Sequence, residues 1–210
     1  MLQIILAGGW MMLPLLLFSV LATAVIIDRA LAFWNHKHID NRSLRSQVMH
    51  LLRQGQAQEA AMLCARTPGP VSAVLLSGLQ AYAKHLQRVD VNELAATVKT
   101  TMEEFSIHAI SAVEKRFGVL NTIGNAAPLL GMTGTVVGMI ASFEMLALHG
   151  GDMNYVAGGI SVALITTAAG LIIALIAVIP FNFFTSQADA IDLEIEETKS
   201  QFIDFITTGI

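Results

Sequence analysis

Charged side chains are scarce in this sequence, and the places where they are missing indicate its class. Of the 210 residues, 13% are charged and 54% are apolar, and the mean hydropathy is +0.63. No Asp, Glu, Lys, Arg or His lies within residues 2–27, 117–143 or 153–188. A soluble domain covers itself with polar groups, so this composition excludes an ordinary soluble protein and predicts a membrane protein.

The sequence also has only one cysteine and none of the common catalytic motifs. The single cysteine, Cys64, excludes an intramolecular disulfide and has the character of a small buried hydrophobic residue. The sequence contains no HExxH motif, no nucleophile elbow and no phosphate-binding loop. We therefore expect no enzyme activity, and no metal, cofactor or nucleic acid as a partner.

Each of the three uncharged segments is long enough to span a membrane, because a helix needs roughly 20 residues to cross a bilayer. The predicted fold class is all-α, an integral membrane protein with three transmembrane helices. The predicted segments are an N-terminus with the first span (1–28), a cytoplasmic helical region (29–118), the second span (119–147), a periplasmic loop (148–155), the third span (156–184) and a cytoplasmic C-terminal helix (185–210).

The positive charges predict the orientation of these spans. Lys and Arg residues near span ends are retained on the cytoplasmic side of a membrane. Eleven of the twelve fall between Arg29 and Arg116, and the twelfth is Lys199. The N-terminus is therefore predicted to lie outside and the C-terminus in the cytoplasm.

A cleaved signal peptide is the competing interpretation of the N-terminus. Ala22-Thr23-Ala24 resembles a cleavage site of small residues. However, no positive charge precedes the apolar run, and Asp28 and Arg29 follow it directly, which favours a retained span.

The second and third spans are predicted to continue as helices into the cytoplasm. No proline occurs between Val91 and Pro128, so we expect one uninterrupted helix from Val91 into the second span. Beyond the third span the helical pattern continues through Ile195 and Phe202. The two extensions would form a cytoplasmic stalk around which the shorter helices pack.

Small and hydroxyl-bearing residues recur along the second and third spans. Spacings of three and four place such residues on one face of a helix. The predicted face of the second span comprises Gly131, Thr135, Gly138 and Ser142, with Gly134 as a further packing residue. The predicted face of the third span comprises Ala163, Thr167, Gly170 and Ala174, with Thr166 alongside. Small residues let helix backbones approach closely in lipid.

Two interpretations of these faces remain open. In the first they only pack, and each threonine hydroxyl bonds the backbone carbonyl one turn back. In the second, Thr135, Thr166 and Thr167 line an ion path, because a hydroxyl binds water, a proton carrier or a cation without a buried charge. Pro128 frees a backbone carbonyl in the second span, where a simple kink is favoured over a ligand site.

Three long stretches resemble the ExbB, TolQ and MotA family of ion-driven motor subunits, and they are most similar to its ExbB branch. They are GGWMMLPLLLFSVLATAVIIDR from Gly8, EKRFGVLNTIGNAAPLLGMTGTVVGMIASF from Glu114 and AGGISVALITTAAGLIIALIAVIPFNFF from Ala157. Three spans with the N-terminus outside agree with the ExbB and TolQ branch, whereas MotA has four spans.

The resemblance implies a motor subunit in contact with the lipids of the bacterial inner membrane. It implies a homo-oligomer of five chains around a single-span, ExbD-like partner that carries a membrane aspartate. The proton-motive force acting on that aspartate would drive movement, which passes to a TonB-like protein for outer-membrane uptake. The family's pathway threonines map onto Thr135 and Thr167, and the transported ion would be H⁺ or Na⁺.

One position departs from the family pattern. ExbB and TolQ members usually carry a glutamate in the third span, within a GIxEAL pattern, and Val162 stands there in the sequence GISVAL. The chain then brings no carboxylate into the membrane interior, so an acid at mid-membrane would come from the partner. The alternatives left open are a sodium-driven stator, a TolQ-like subunit for envelope maintenance, and a structural scaffold or passive channel.

Overall fold

The computed structural model describes residues 9–36, 41–85, 90–148 and 153–208, which form seven helices. They are α1 Met12–His36, α2 Asn41–Arg53, α3 Ala57–Arg66, α4 Pro70–His85, α5 Val91–Val113, α6 Phe117–Leu148 and α7 Met153–Thr208. No strand occurs in these residues, which confirms the all-α class. The predicted exterior residues 1–8 and the centre of the 148–155 loop lie outside the described part of the chain.

Three of the helices are long and apolar enough to cross a membrane. The candidate spans are Met12–Trp34, Phe117–Leu148 and Val156–Thr208, with 23, 32 and 53 residues. A single crossing needs about 20 residues, so α7 continues well beyond the length of one crossing. By length and composition, the prediction of three membrane helices is confirmed.

The chain divides into two compact units. The membrane unit comprises Met1–Ala30 and Arg116–Phe184, and the helical unit comprises Leu31–Lys115 and Thr185–Ile210. α7 contributes to both units, since it is continuous through Pro180. The predicted helical continuation of the third span is therefore confirmed.

Within the membrane unit, α1 buries a single stripe of its surface. Met12, Leu15, Ala22 and Val25 are at most 9% exposed and recur at helical spacing. Most of the other large apolar side chains of α1 remain exposed, as expected for a helix at the edge of a membrane bundle.

The helical unit has a core of large apolar side chains. Phe202, Leu75, Leu79 and Met102 are at most 2% exposed. The Phe202 ring of α7 meets the Tyr82 ring of α4 edge-on, with ring centroids 6.2 Å apart. Burial of such side chains in water stabilises a fold by about 1.5 to 3 kcal/mol each, so this core holds α2 to α5 against α7.

The prediction of one uninterrupted helix from Val91 into the second span is wrong. α5 ends at Val113, α6 begins at Phe117, and Arg116 between them has a φ of 72°. A non-glycine residue in this left-handed region is strained. The Arg116 guanidinium lies 2.8 Å from the Asp28 carboxylate of α1. The three residues of the break include neither proline nor glycine, so the sequence pattern does not reveal it.

Candidate functional site

The buried faces of α6 and α7 run along each other in opposite directions. The α6 face comprises Phe117, Leu120, Ile123, Gly124, Ala127, Gly131, Gly134 and Ser142. At one end the Phe117 ring stacks on that of Phe184, with centroids 6.2 Å apart, and at the other end Ser142 contacts Gly159. The two spans therefore pack antiparallel along the whole buried face of α6, which continues as a helix through Pro128.

The two backbones approach most closely at Gly131 and Gly170. A Cβ atom built on Gly170 would lie 2.6 Å from the Ala127 carbonyl oxygen and 3.1 Å from the Gly131 Cα. A Cβ atom on Gly131 would lie 3.1 Å from the Thr167 Cα. These neighbours are backbone atoms, which cannot turn away as a side chain can. The position of Gly170 therefore requires glycine, whereas a Cβ atom at Gly131 would fit only if the helices moved apart by a few tenths of an ångström. Small residues allow such a close approach in lipid.

Gly134 and Gly138 extend this contact along α6. A Cβ atom on Gly134 would lie 2.5 Å from the Thr166 Cγ2 and 3.7 Å from the Met11 Cβ, so this glycine faces both α7 and the residue preceding α1. A Cβ atom on Gly138 would lie 3.0 Å from the Ala163 Cβ. We call the contact formed by Gly131, Gly134, Gly138, Gly159 and Gly170 the glycine seam. Ala163 and Ala174 of α7 are buried with it, at 2% and 7% exposure.

Hydroxyl groups in the seam donate to backbone carbonyls. The Thr167 Oγ1 donates across the seam to the Gly131 carbonyl oxygen at 2.9 Å. The Thr166 Oγ1 donates within its own helix to the Val162 carbonyl oxygen, also at 2.9 Å, and Ser142 likewise bonds a carbonyl of its own helix. Thr167 therefore links the two spans, whereas the other two hydroxyls are satisfied within one turn. Periodicity alone does not distinguish these roles.

Thr135 lies on the flank of the seam. Gly134, one residue earlier, takes the buried position, and Thr135 is half-buried. The Thr135 Oγ1 donates to the Met132 carbonyl oxygen at 2.6 Å, so it does not donate to Thr167. It follows Gly131, the acceptor of the Thr167 bond, by four residues, which is about 6 Å along the helix. The Thr135 oxygen keeps acceptor capacity toward whatever covers this flank.

The seam contains hydroxyl groups but no ionisable group. Val162 is half-buried, and a Cβ atom built on Gly9 would lie 3.8 Å from its Cγ1. Residues 117–143 and 153–188 contain no Asp, Glu, Lys, Arg or His. Among the described residues, no group of three or more His, Cys, Asp and Glu side chains could hold a metal ion. Within residues 117–143 and 153–188, neither α6 nor α7 contributes a carboxylate, imidazole or amine side chain as a proton carrier.

α6 also carries a polar surface away from its buried face. Asn121, Thr122, Asn125 and Thr133 are all exposed. The Asn125 Nδ2 donates to both the carbonyl oxygen and the Oδ1 of Asn121, at 2.9 and 3.0 Å. Polar side chains that face lipid are costly, so we expect protein or water to cover this side of α6. The signal in the sequence is the pair of asparagines one turn apart.

Comparison with known proteins decides the family. A profile of the MotA/TolQ/ExbB proton channel family matches residues 67–197, which include all of α6 and the seam-forming part of α7. The chain belongs to this family. The resemblance inferred from the sequence is thereby confirmed, and the family is one of proton channels rather than of enzymes.

Individual relatives match over most of their length. The chain is 32% identical over 190 residues to the putative biopolymer transport protein ExbB-like 3 of Synechocystis sp., covering 86% of this chain and 82% of that protein. It is 28% identical over 204 residues to the Tol-Pal system protein TolQ of Haemophilus influenzae, covering 92% and 84%. It is 28% identical over 195 residues to the biopolymer transport protein ExbB of Salmonella typhimurium, covering 91% and 78%.

Proposed function

We propose that this chain is the multi-span subunit of an ion-driven motor in the bacterial inner membrane. It works with a single-span, ExbD-like partner and uses the proton-motive force to energise a TonB-like protein for uptake across the outer membrane. Membership of a proton channel family supports ion conduction, and relatives named biopolymer transport protein ExbB support this type of client. One charge crossing about 100 mV releases about 2.3 kcal/mol, so repeated transfers supply conformational work.

The observation that carries this proposal is the hydroxyl-bearing, uncharged seam. Thr135 and Thr167 supply oxygen atoms near one level of the α6 and α7 pair, and no acid lies within residues 117–143 or 153–188. A proton carrier has to ionise, so we assign that role to the membrane aspartate of the partner. We assign Thr135, whose flank is open, to contact with the ion or its water, and Thr167 to holding the two spans together. Thr166 lies beside them, buried at 1% exposure.

The exposed surface of α6 supports a proposal of assembly. Asn125 and Thr133 are exposed beside Leu129 and Met132, which are 60% and 54% exposed. A surface of mixed polarity within a span is better covered by protein than by lipid. We propose that neighbouring copies in a ring of five, and the partner within that ring, cover it.

The proposed orientation places the N-terminus in the periplasm and the C-terminus in the cytoplasm. The distribution of Lys and Arg supports it, since no positive charge lies in 1–28 or 148–155. It also assigns residues 29–118 and 185–210 to the cytoplasm. Protease digestion of a C-terminal tag in inside-out but not right-side-out vesicles is the expected result, and the opposite pattern would refute the orientation.

A TolQ-like role is the second candidate, because the TolQ of Haemophilus influenzae matches 92% of this chain. Purification of the native complex and mass spectrometry of its components separate the two candidates. We expect a single-span protein with a central aspartate in either case. Co-purification with a TonB-like protein supports the first candidate, and isolation of the chain alone would favour a scaffold.

The central test replaces the Thr135 hydroxyl by a methyl group. We expect Thr135→Val to leave assembly intact, because its hydroxyl bonds only within its own turn, and to abolish ion-driven output in cells that depend on the complex. Thr133→Val is the matched control, since Thr133 is exposed on the same helix and bonds the Leu129 carbonyl. Output is measured under a proton gradient and under a sodium gradient, which also identifies the ion.

Thr167 requires a pair of variants, because its hydroxyl also links the helices. Thr167→Val leaves the Gly131 carbonyl without this donor, so we expect lost output together with a stability loss of about 0.6 kcal/mol. Thr167→Ser keeps the hydroxyl and should restore both. Full output from both Thr135→Val and Thr167→Val would exclude the ion path and favour a seam that only packs.

A further inference from the structure

A basic cavity in the helical unit carries an inference that does not depend on the proposed function. α2 and the end of α7 line a half-open cavity of about 510 Å³. Its principal lining residues are Arg42, Arg45, His50 and Arg53 from α2, with Asp204 and Phe205 from α7. Small-molecule sites commonly measure about 300 to 1,000 Å³, so the volume suits an organic ligand rather than a single ion.

Positive charge is concentrated here in a chain that is acidic overall. The chain has 12 Lys and Arg against 16 Asp and Glu, yet three arginines and one carboxylate line the cavity. Arg45 is held in place by Glu197 at 2.8 Å, with its side chain 11% exposed. Arg53 is exposed, and in the described part of the chain no carboxylate lies within ion-pair distance of it.

The fold fixes the position of these arginines. Leu44, Val48 and Leu52 are buried in the core of the helical unit, so α2 cannot rotate about its axis. The opposite flank of α2 then presents Arg42 and Arg53 along the cavity, about 16 Å apart at 1.5 Å per residue. This spacing matches an extended anion with several acceptor groups better than a compact one.

We propose that this cavity binds a phosphate-bearing organic anion. Guanidinium groups donate paired N–H bonds that match phosphate oxygens, and several arginines accommodate more than one phosphate. Met49 and Phe205 line the same cavity and provide an apolar wall for a planar ring, as in a nucleotide. Two sources supply this chemistry, a soluble nucleotide and a phospholipid headgroup, and the test separates them.

The test uses the full-length chain purified in a neutral detergent. ATP, pyrophosphate and short-chain phosphatidylglycerol are titrated separately by calorimetry at low salt. The site variant is Arg42→Gln with Arg53→Gln, which keeps the helix-forming character of α2. Arg66→Gln is the control, because Arg66 is exposed on α3 and does not line the cavity. Asp204→Asn removes the one carboxylate of the lining.

We expect saturable binding that the double variant weakens about tenfold or more, that Arg66→Gln leaves unchanged and that Asp204→Asn strengthens. Tighter binding of ATP than of pyrophosphate assigns the site to a nucleotide, and binding of phosphatidylglycerol alone assigns it to a headgroup. The absence of saturable binding for all three probes, or equal weakening by Arg66→Gln, overturns the proposal. So does a change in oligomeric mass in the double variant without loss of anion binding, which would make this face a subunit contact.

Discussion

The two units of this chain pack their helices with opposite kinds of residue. In the membrane unit, α6 and α7 touch through Gly131 and Gly170, whose contacts are backbone atoms. In the helical unit, contact is made by large side chains such as Phe202 and Met102, both fully buried. In water, burial of apolar area contributes about 25 cal/mol per Å², so large side chains stabilise that unit. In lipid, apolar side chains contact hydrocarbon whether the helices are separate or packed, so close contact between backbones stabilises the packed helices instead.

This difference changes what a glycine does in each unit. Gly170 meets the Ala127 carbonyl oxygen, whereas Gly78 of α4 meets the Met102 side chain, whose Sδ would lie 2.6 Å from an added Cβ. A methionine side chain can adopt another rotamer, but a carbonyl oxygen moves only with its helix. The same substitution should therefore have a large effect in one unit and a modest effect in the other.

The largest effect is expected from Gly170→Val. Its side chain would push α6 and α7 apart and would separate Thr167 from the Gly131 carbonyl, so the membrane unit should fail to assemble. Gly158→Val is the matched control on the same helix, since a Cβ atom there meets nothing within 4 Å. The measurement is the fraction of detergent-solubilised protein that elutes as a single species. If both variants elute like the parent, the seam does not hold the two spans together.

Phe202→Ala is the corresponding destabilising substitution in the helical unit. It removes a buried ring that contacts Tyr82, so we expect a loss of about 3 to 5 kcal/mol in the free energy of unfolding of that unit. Leu193→Ala, on the same helix and 67% exposed, should change it by less than about 0.5 kcal/mol. Limited proteolysis of the full chain monitors the unfolding. Equal resistance of the two variants would show that the core is not the source of stability.

The sequence predicts those features of the membrane unit that depend on the residues of one helix alone. The three spans follow from missing charge, and the small residues noted in the sequence include every glycine of the seam except Gly159. The sequence does not decide which of two adjacent residues on a helix faces the neighbouring helix. Gly134 and Thr135 differ by about 100° around α6, and packing against α7 places the glycine inside and the threonine on the flank.

Features that depend on distant parts of the chain are not visible in the sequence pattern. The break at Arg116 has no helix-breaking residue, and its guanidinium bonds Asp28, far away in the sequence. The basic cavity likewise joins Arg42 and Arg53 of α2 to Asp204 of α7. Local periodicity contains no information on either pairing, because both arise from tertiary contact.

Gly78→Ala tests the glycine contact of the helical unit, where we expect a smaller effect than at Gly170. The added methyl group overlaps the Met102 side chain, so we expect a loss of about 1 kcal/mol in the free energy of unfolding of the helical unit. In a Met102→Ala background the same substitution should cost little, because the overlapping atoms are gone. The double-mutant cycle is measured by proteolysis as above. A cost that persists in the Met102→Ala background would show that backbone contact matters in this unit too.

The smallest effect concerns Cys64, which tests whether the core of the helical unit is closed to solvent. Burial raises the pKa of this thiol to about 11, and its side chain is 2% exposed. The unfolded thiol ionises near a pH of about 8.5, so the folded state holds more protons between these values and stability falls as the pH rises through this range. Below about pH 8 the thiol is protonated in both the folded and unfolded states, so the ionisation has no effect on stability. At such pH values the burial of Cys64 is measured by the reactivity of its thiol. Maleimide should label Cys64 in denaturant but not in the folded protein, whereas Phe202→Ala, which opens this core, should make the thiol reactive without denaturant. Rapid labelling of the folded parent protein would show that solvent reaches the core of the helical unit. The two units would then differ in the size of the residues at their helix contacts, but the large side chains would not exclude water from that core.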